Sequence, residues 1–106
     1  MRKRELVALC SKWQRRLRLV DWRVEIVVKF VKGYPNSDAW VTVEEYTRTA
    51  EIEIDPRAAN PERSLLHELT HMTISPVVPD GIAEGVEEQV VWSITDALLD
   101  TDRRIA

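Results

Sequence analysis

Residues 60–76, NPERSLLHELTHMTISP, decide how the chain folds around its chemistry. Asn60 is a preferred N-cap, Pro61 suits the first helical position because it has no N–H to leave unpaired, and Glu62 places an acid in the first turn. Ser75-Pro76 supplies the stop. The spacing therefore predicts a helix of about four turns. Leu65, Leu66, Leu69 and Met72 lie on one side of it and would anchor it to a core. The only two histidines of the chain, His67 and His71, are four positions apart. At that spacing they lie about 40° apart round the axis and one turn along it, so both imidazoles point the same way and can grip one ion. Glu68 lies about 100° round from His67, outside that direction but within reach of a water held at the ion, where a general base would act.

Two histidines scattered at random over 106 positions fall four apart in roughly 2% of cases, and an adjacent acid drawn from 11 glutamates reduces this to roughly 0.2%. Coincidence is a poor explanation. A catalytic zinc site takes three protein ligands and keeps one position open. There is no third histidine, and the single cysteine, Cys10, reads as a small buried hydrophobe, so the third ligand must be a carboxylate. Glu84, Glu87 and Glu88 stand 13 to 17 residues beyond His71, at the start of the last helix. A loop and a helix folding back antiparallel would bring one of them under the metal. Glu87 lies within a valine stripe, whereas Glu88 lies at its edge, with Val91 and Trp92 on the next turn. An edge position can pack the helix and still reach an aqueous cleft, which favours Glu88 over Glu87 and Glu84.

Working outward, residues 3–20 place Leu6, Leu9, Cys10, Trp13, Leu17 and Val20 at helical spacing among charges, an amphipathic helix. Residues 22–30, WRVEIVVKF, are rich in β-branched side chains and end at the turn GYPN, 33–36. Strands follow at 39–46 and 48–55, the second alternating Ala50, Ile52 and Ile54 with Glu51, Glu53 and Asp55, and the pair is expected to be antiparallel through a turn near Tyr46 to Arg48. After Pro76, Pro79 and Asp80-Gly81, residues 82–100 read as a long helix with Val86, Val90, Val91, Ile94, Ala97 and Leu98 along one side. The expected fold is α+β within one domain, 1–106: an N-terminal helix, a three-stranded, mainly antiparallel twisted sheet, the histidine helix and a C-terminal glutamate helix.

Composition narrows the function classes. With 44% hydrophobic and 31% charged residues and no apolar run of membrane-spanning length, a cytoplasmic protein without a membrane partner is expected. A single cysteine excludes an internal disulfide framework. The net charge of -3 hides a basic start, Arg2, Lys3, Arg4, Lys12, Arg15, Arg16 and Arg18, and an acidic last third, so the two ends are expected to attract. The basic start reads as a solvated helix face rather than as a nucleic-acid contact.

His67-Glu68-Leu69-Thr70-His71 matches the HExxH motif, and on it the chain resembles the zincin metallopeptidases. The glutamate helix downstream resembles that of the gluzincin branch, and the whole layout is similar to the minigluzincins and to small HExxH proteins of phages and prophages. The resemblance implies Zn2+ held by His67, His71 and Glu88, and peptide hydrolysis with Glu68 as general base. It also implies a peptide or protein substrate lying along strand 39–46, with Ala39, Trp40 and Val41 offering backbone hydrogen bonds. Related forms include latent ones whose cleft is filled by a terminal segment or a neighbouring molecule, so autoinhibition and self-association are implied as well. In gluzincins an acid four residues after the ligand glutamate supports a histidine ligand, whereas here Glu88 is followed by Trp92 and Glu87 by Val91. The competing reading is a non-catalytic or regulatory zinc-binding protein whose basic first helix meets an acidic partner or nucleic acid.

Overall fold

A computed structural model describes residues 1–105 of the chain. The order is α1 (Lys3–Arg16), β1 (Arg23–Val28), β2 (Ala39–Glu44), β3 (Thr49–Ile54), α2 (Pro61–Ile74), a 3-10 turn (Ser75–Val77) and α3 (Glu84–Ile105). The α+β expectation holds. The sheet itself is mixed, in the order β1-β3-β2, with β2 antiparallel to β3 and β1 parallel to it. The β2–β3 pairing is local and was readable from the alternation and the turn. The parallel pairing is not local, because the connection 29–38 must carry the chain past β3 to the far edge before the hairpin returns it.

Asp55 secures that connection. Its side chain is inaccessible to solvent and accepts hydrogen bonds from the backbone N–H of Val31 at 2.8 Å and of Arg57 at 2.9 Å. The Arg57 guanidinium adds two more, from Nε at 2.9 Å and Nη2 at 2.8 Å, while the Asp55 N–H donates to the Asp38 carbonyl at 2.8 Å. The residue that follows β3 thus pins both ends of the 29–38 loop. Arg57 in turn lies 4.0 Å over the Tyr34 ring and 4.5 Å over Phe30, within cation–π range.

The core lies between α1, α2 and one face of the sheet: Leu6, Cys10 and Trp13 from α1, Ile26, Ile52 and Ile54 from the strands, and Leu65, Leu66, Leu69 and Met72 from α2, all buried. Burial pushes the Cys10 thiol up to about 11, which fits its reading as a small hydrophobe. Two boundaries differ from expectation. Helix α1 stops at Arg16, because Arg18 adopts a left-handed conformation (φ 61°) and the Gln14 amide folds the chain back by donating to the carbonyls of Leu19 and Trp22. Val20 is consequently 68% exposed, and Leu19 takes the buried place. The buried line of α3 is Val91, Thr95 and Leu99, while Val86 and Val90 face solvent. Relative to the expected valine stripe, the helix is rotated by roughly a third of a turn. The attraction between the ends is realised by Asp102 of α3, which pairs with Lys12 at 2.7 Å and with Arg16. Among the described residues, no helix is long and apolar enough to cross a membrane.

Candidate metal centre

Helix α2 carries the centre and forms the floor of a cleft. The Asn60 side chain caps it by accepting the Arg63 N–H at 3.1 Å. Leu65, Leu66 and Leu69, each fully buried, clamp one side to the core and leave the His67 and His71 side to face α3. After the 3-10 turn, Gly81 takes a left-handed conformation (φ +86°) that side chains rarely adopt, and α3 then runs back along α2.

Three side chains converge between the two helices. The Nε2 atoms of His67 and His71 lie 3.2 Å apart. Glu88 places Oε2 at 3.1 Å from His67 Nε2 and Oε1 at 2.7 Å from His71 Nε2. One ligand atom from each of the three lies within 4.8 Å of the others, so the group could hold a metal ion. Ligands at about 2.05 Å from a tetrahedral ion stand roughly 3.4 Å from one another, and the histidine spacing is close to that. Of the three candidate glutamates, Glu88 is the one that lies with both imidazoles. Glu87 lies instead on the far side of the His71 ring, its Oε2 at 3.6 Å from Nδ1. The two groups are close enough to interact electrostatically but stand just beyond hydrogen-bond distance.

Burial sets the electrostatics. His67 is 6% exposed, and desolvation lowers its pKa to about 4 against the opposing pull of Glu88, with His71 adding to the depression. The ring is neutral at pH 7, as a ligand must be. Glu68, 8% exposed, has its carboxyl raised to about 7, first by burial and then by the nearby charge of Glu88. Its carboxylate accepts no hydrogen bond from any described residue, yet it lines the cleft beside the histidines. Burial thus brings its pKa into the range where a carboxyl can take up or give up a proton near neutrality.

The cleft is open, about 1150 Å³, and extends from α2 and the start of α3 to β2 and the loop carrying Trp22. Strand β2 has β3 on one side and, among the described residues, no strand on the other. Because the Asp55 N–H bonds to the Asp38 carbonyl, that opposed pair is a hydrogen-bonded one, and hydrogen-bonded and open pairs alternate along an antiparallel ladder. Trp40 and Thr42 accordingly turn their backbone groups toward β3, while Ala39, Val41 and Val43 turn theirs to the free edge. The Ala39 carbonyl already accepts the Ser37 hydroxyl at 3.1 Å. Of the residues expected to bind a peptide, Val41 thus offers both backbone groups and Ala39 chiefly its N–H. Trp40 offers its side chain, 60% exposed and lining the cleft.

One group of residues at the centre was not singled out from sequence. Trp92 stacks on His67, with ring centroids 3.7 Å apart and planes inclined by 31°. The Arg63 guanidinium lies 4.0 Å from the same indole and forms a two-pronged bond to Asp96, at 2.8 and 3.1 Å. The available signal was spacing: Arg63, His67 and His71 form one ladder of fours, and Glu88, Trp92 and Asp96 another, and two such ladders face each other when helices pack antiparallel. No protein-family model, no curated protein and no solved structure matches the chain, so the centre is described by its own geometry: two histidines and a glutamate converging on one point, with a buried, unbonded glutamate beside them.

Proposed function

We propose that the chain is a zinc-dependent metallopeptidase of the HExxH, gluzincin-like kind, with His67, His71 and Glu88 as ligands and Glu68 as general base. The observation that carries this reading is the convergence of the three ligand groups with Glu68 held beside them, buried and without a hydrogen bond. A hard oxygen-only ion such as magnesium suits two imidazoles poorly, whereas zinc accepts both nitrogen and carboxylate donors. Zinc, when bound, supplies a Lewis acid and lowers the pKa of a coordinated water toward about 7.

The chain's own residues then divide the work. Glu68 removes a proton from the attacking water onto a carboxylate oxygen, and burial makes it a stronger base than an exposed glutamate. A cation at the ligands keeps that carboxylate ionised until the proton arrives. The protonated Glu68 gives its proton to the departing amine. Strand β2 holds the peptide by its backbone at Val41 and Ala39 and so sets the distance between scissile bond and Glu68. A regulatory zinc protein that uses basic α1 as its contact surface would have Lys3, Arg4 and Arg15 at the surface for it, Lys12 and Arg16 being paired with Asp102.

Glu68→Gln tests the reading. The variant is expected to keep its zinc and to lose hydrolysis of an unfolded protein such as casein by about 100-fold or more. Undiminished hydrolysis by the variant, or by protein stripped with a chelator, would sink it.

A further inference from the structure

We infer that Trp92 orients His67 for metal binding: its indole, clamped by Arg63 and Asp96, is the platform that sets the plane of the imidazole. This rests on the metal-centre reading but not on peptidase activity.

A ligand histidine is ordinarily held by a hydrogen bond from the ring nitrogen that does not face the metal, and losing that partner weakens binding about 10- to 100-fold. His71 has a carboxylate on that side, Glu87, 3.6 Å from Nδ1 and just beyond hydrogen-bond distance. His67 has none. Its Nδ1 is buried and, among the described residues, meets no hydrogen-bond partner. Rotation about the bond to an imidazole ring is soft, with broad, roughly two-fold preferences. Without a polar anchor, only packing can fix the direction of Nε2.

The packing is there. The Trp92 indole covers the His67 ring at 3.7 Å, and the edge of His71 meets the same imidazole at 4.7 Å and 84°. The indole is itself fixed, since it also packs against Arg63, one turn before His67 on α2. Asp96, one turn beyond Trp92 on α3, grips that guanidinium through both Nε and Nη2. A bidentate arginine–carboxylate pair defines an orientation as well as a distance. The clamp therefore joins α2 to α3 one turn away from the ligands, and it holds Trp92 flat at the site where His67 must present its lone pair. Glu88 and Trp92 are four residues apart on α3, so the turn of helix that supplies the third ligand also supplies the platform for the first. Trp92 is on this account a positioning residue, acting through His67.

The test is zinc affinity, by competition with a chromogenic chelator, for the parent, Trp92→Leu, Trp92→Phe and Arg63→Met, beside the visible spectrum of each Co2+-loaded protein and the melting temperature of each metal-free one. Trp92→Leu is expected to bind zinc about 10- to 100-fold more weakly and to shift the Co2+ bands, whereas Trp92→Phe, which keeps a flat ring, stays within about threefold of the parent. Arg63→Met, a change at a half-buried position that frees the indole, is expected to weaken binding severalfold, and it carries the test should Trp92→Leu fail to fold. Parent-like affinity in Trp92→Leu or in Arg63→Met, or a Phe variant as weak as the Leu one, overturns the inference while leaving the metal centre standing. A parent that binds no zinc overturns both.

Discussion

Asp55 and Glu68 are both buried carboxylates, and their surroundings push them in opposite directions. Asp55 accepts four hydrogen bonds and a guanidinium charge, and the Arg57 bonds first, then the Val31 N–H, hold it well below the usual carboxylate range against its burial. Glu68 accepts none from the described residues, and burial lifts it to about 7. The lesson concerns what a buried polar group is for. A saturated acid has no capacity left for chemistry, and its bonds hold a loop in place. An acid left without partners weakens the fold and remains available to a substrate or an ion. His67 belongs with Glu68 in this respect, its Nδ1 unpartnered and its Nε2 turned to a shared point.

If the two clusters divide into function and scaffold, substitutions should separate cleanly. The largest effect is expected at Glu88→Ala: zinc affinity should fall by about 100-fold or more, a third of the ligand set being lost, while the metal-free protein melts at nearly the parent temperature. Equal zinc binding by this variant would mean that Glu87 or Glu84 can take its place. Asp55→Ala should do the reverse. It leaves the Val31 N–H buried and unpaired and releases the 29–38 loop, so the melting temperature should drop by about 10 °C with zinc affinity of the folded fraction unchanged. A fall in zinc affinity matching that of Glu88→Ala would show the clusters to be one coupled unit.

The acid–base signatures should differ in sign as well. Asp55, its pKa depressed in the fold, adds stability above its ordinary value of 3.8 that is lost as pH falls below it. Glu68, raised from 4.5 to about 7, contributes stability that is lost as pH climbs through that range. His67, lowered from 6.5 to about 4, contributes stability that is lost as pH falls through its own range. Where these last two ranges overlap, the slopes nearly cancel: folding takes a proton from one group and gives one to the other. Metal-free protein should therefore be almost flat in stability from about pH 5 to 6.5 and weaken above that. Glu68→Gln removes one side of the balance, so its advantage over the parent in urea unfolding should grow by about 2 kcal/mol between about pH 5 and 8. Parallel curves for the two proteins would place Glu68 in water. The smallest change is expected from Arg57→Lys, which keeps the charge beside Asp55 but loses the fork and should lower the melting temperature by a few degrees, about 3–5 °C.

Much of this was legible without coordinates, and the reasons are local. Asn60 and Pro61 mark the start of α2, Leu65, Leu66, Leu69 and Met72 mark its buried side, and together they aim His67 and His71 away from the core. Alternation in residues 50–55 identifies β3 and its hairpin partner. In each case the interactions span a few residues, so their periodicity is written in the chain. The face of α3 was not legible in this way. Its valines at 86 and 90 invite burial, yet the buried line is Val91, Thr95 and Leu99, and the adjoining side of Glu88, Trp92 and Asp96 meets Arg63, His67 and His71 of α2. A stripe of hydrophobicity alone does not fix which side of a helix is inside; here the polar ladder on α2 claims the neighbouring side of α3 and turns Val91 and Leu99, not Val86 and Val90, inward.

What the sequence determined by itself is the set of elements and the chemistry on α2: two imidazoles one turn apart, an acid beside them, and a short list of glutamates to complete them. What only the tertiary structure decided is that Glu88, favoured from its place on the stripe, lies between the two imidazoles, which strand lies next to which, and which side chains pack against the histidines. The division follows from distance along the chain. Helix caps and residue periods act over one or two turns, whereas the parallel placement of β1, the rotation of α3 and the Trp92 stack on His67 depend on contacts between segments tens of residues apart, and those exist only once the core has closed.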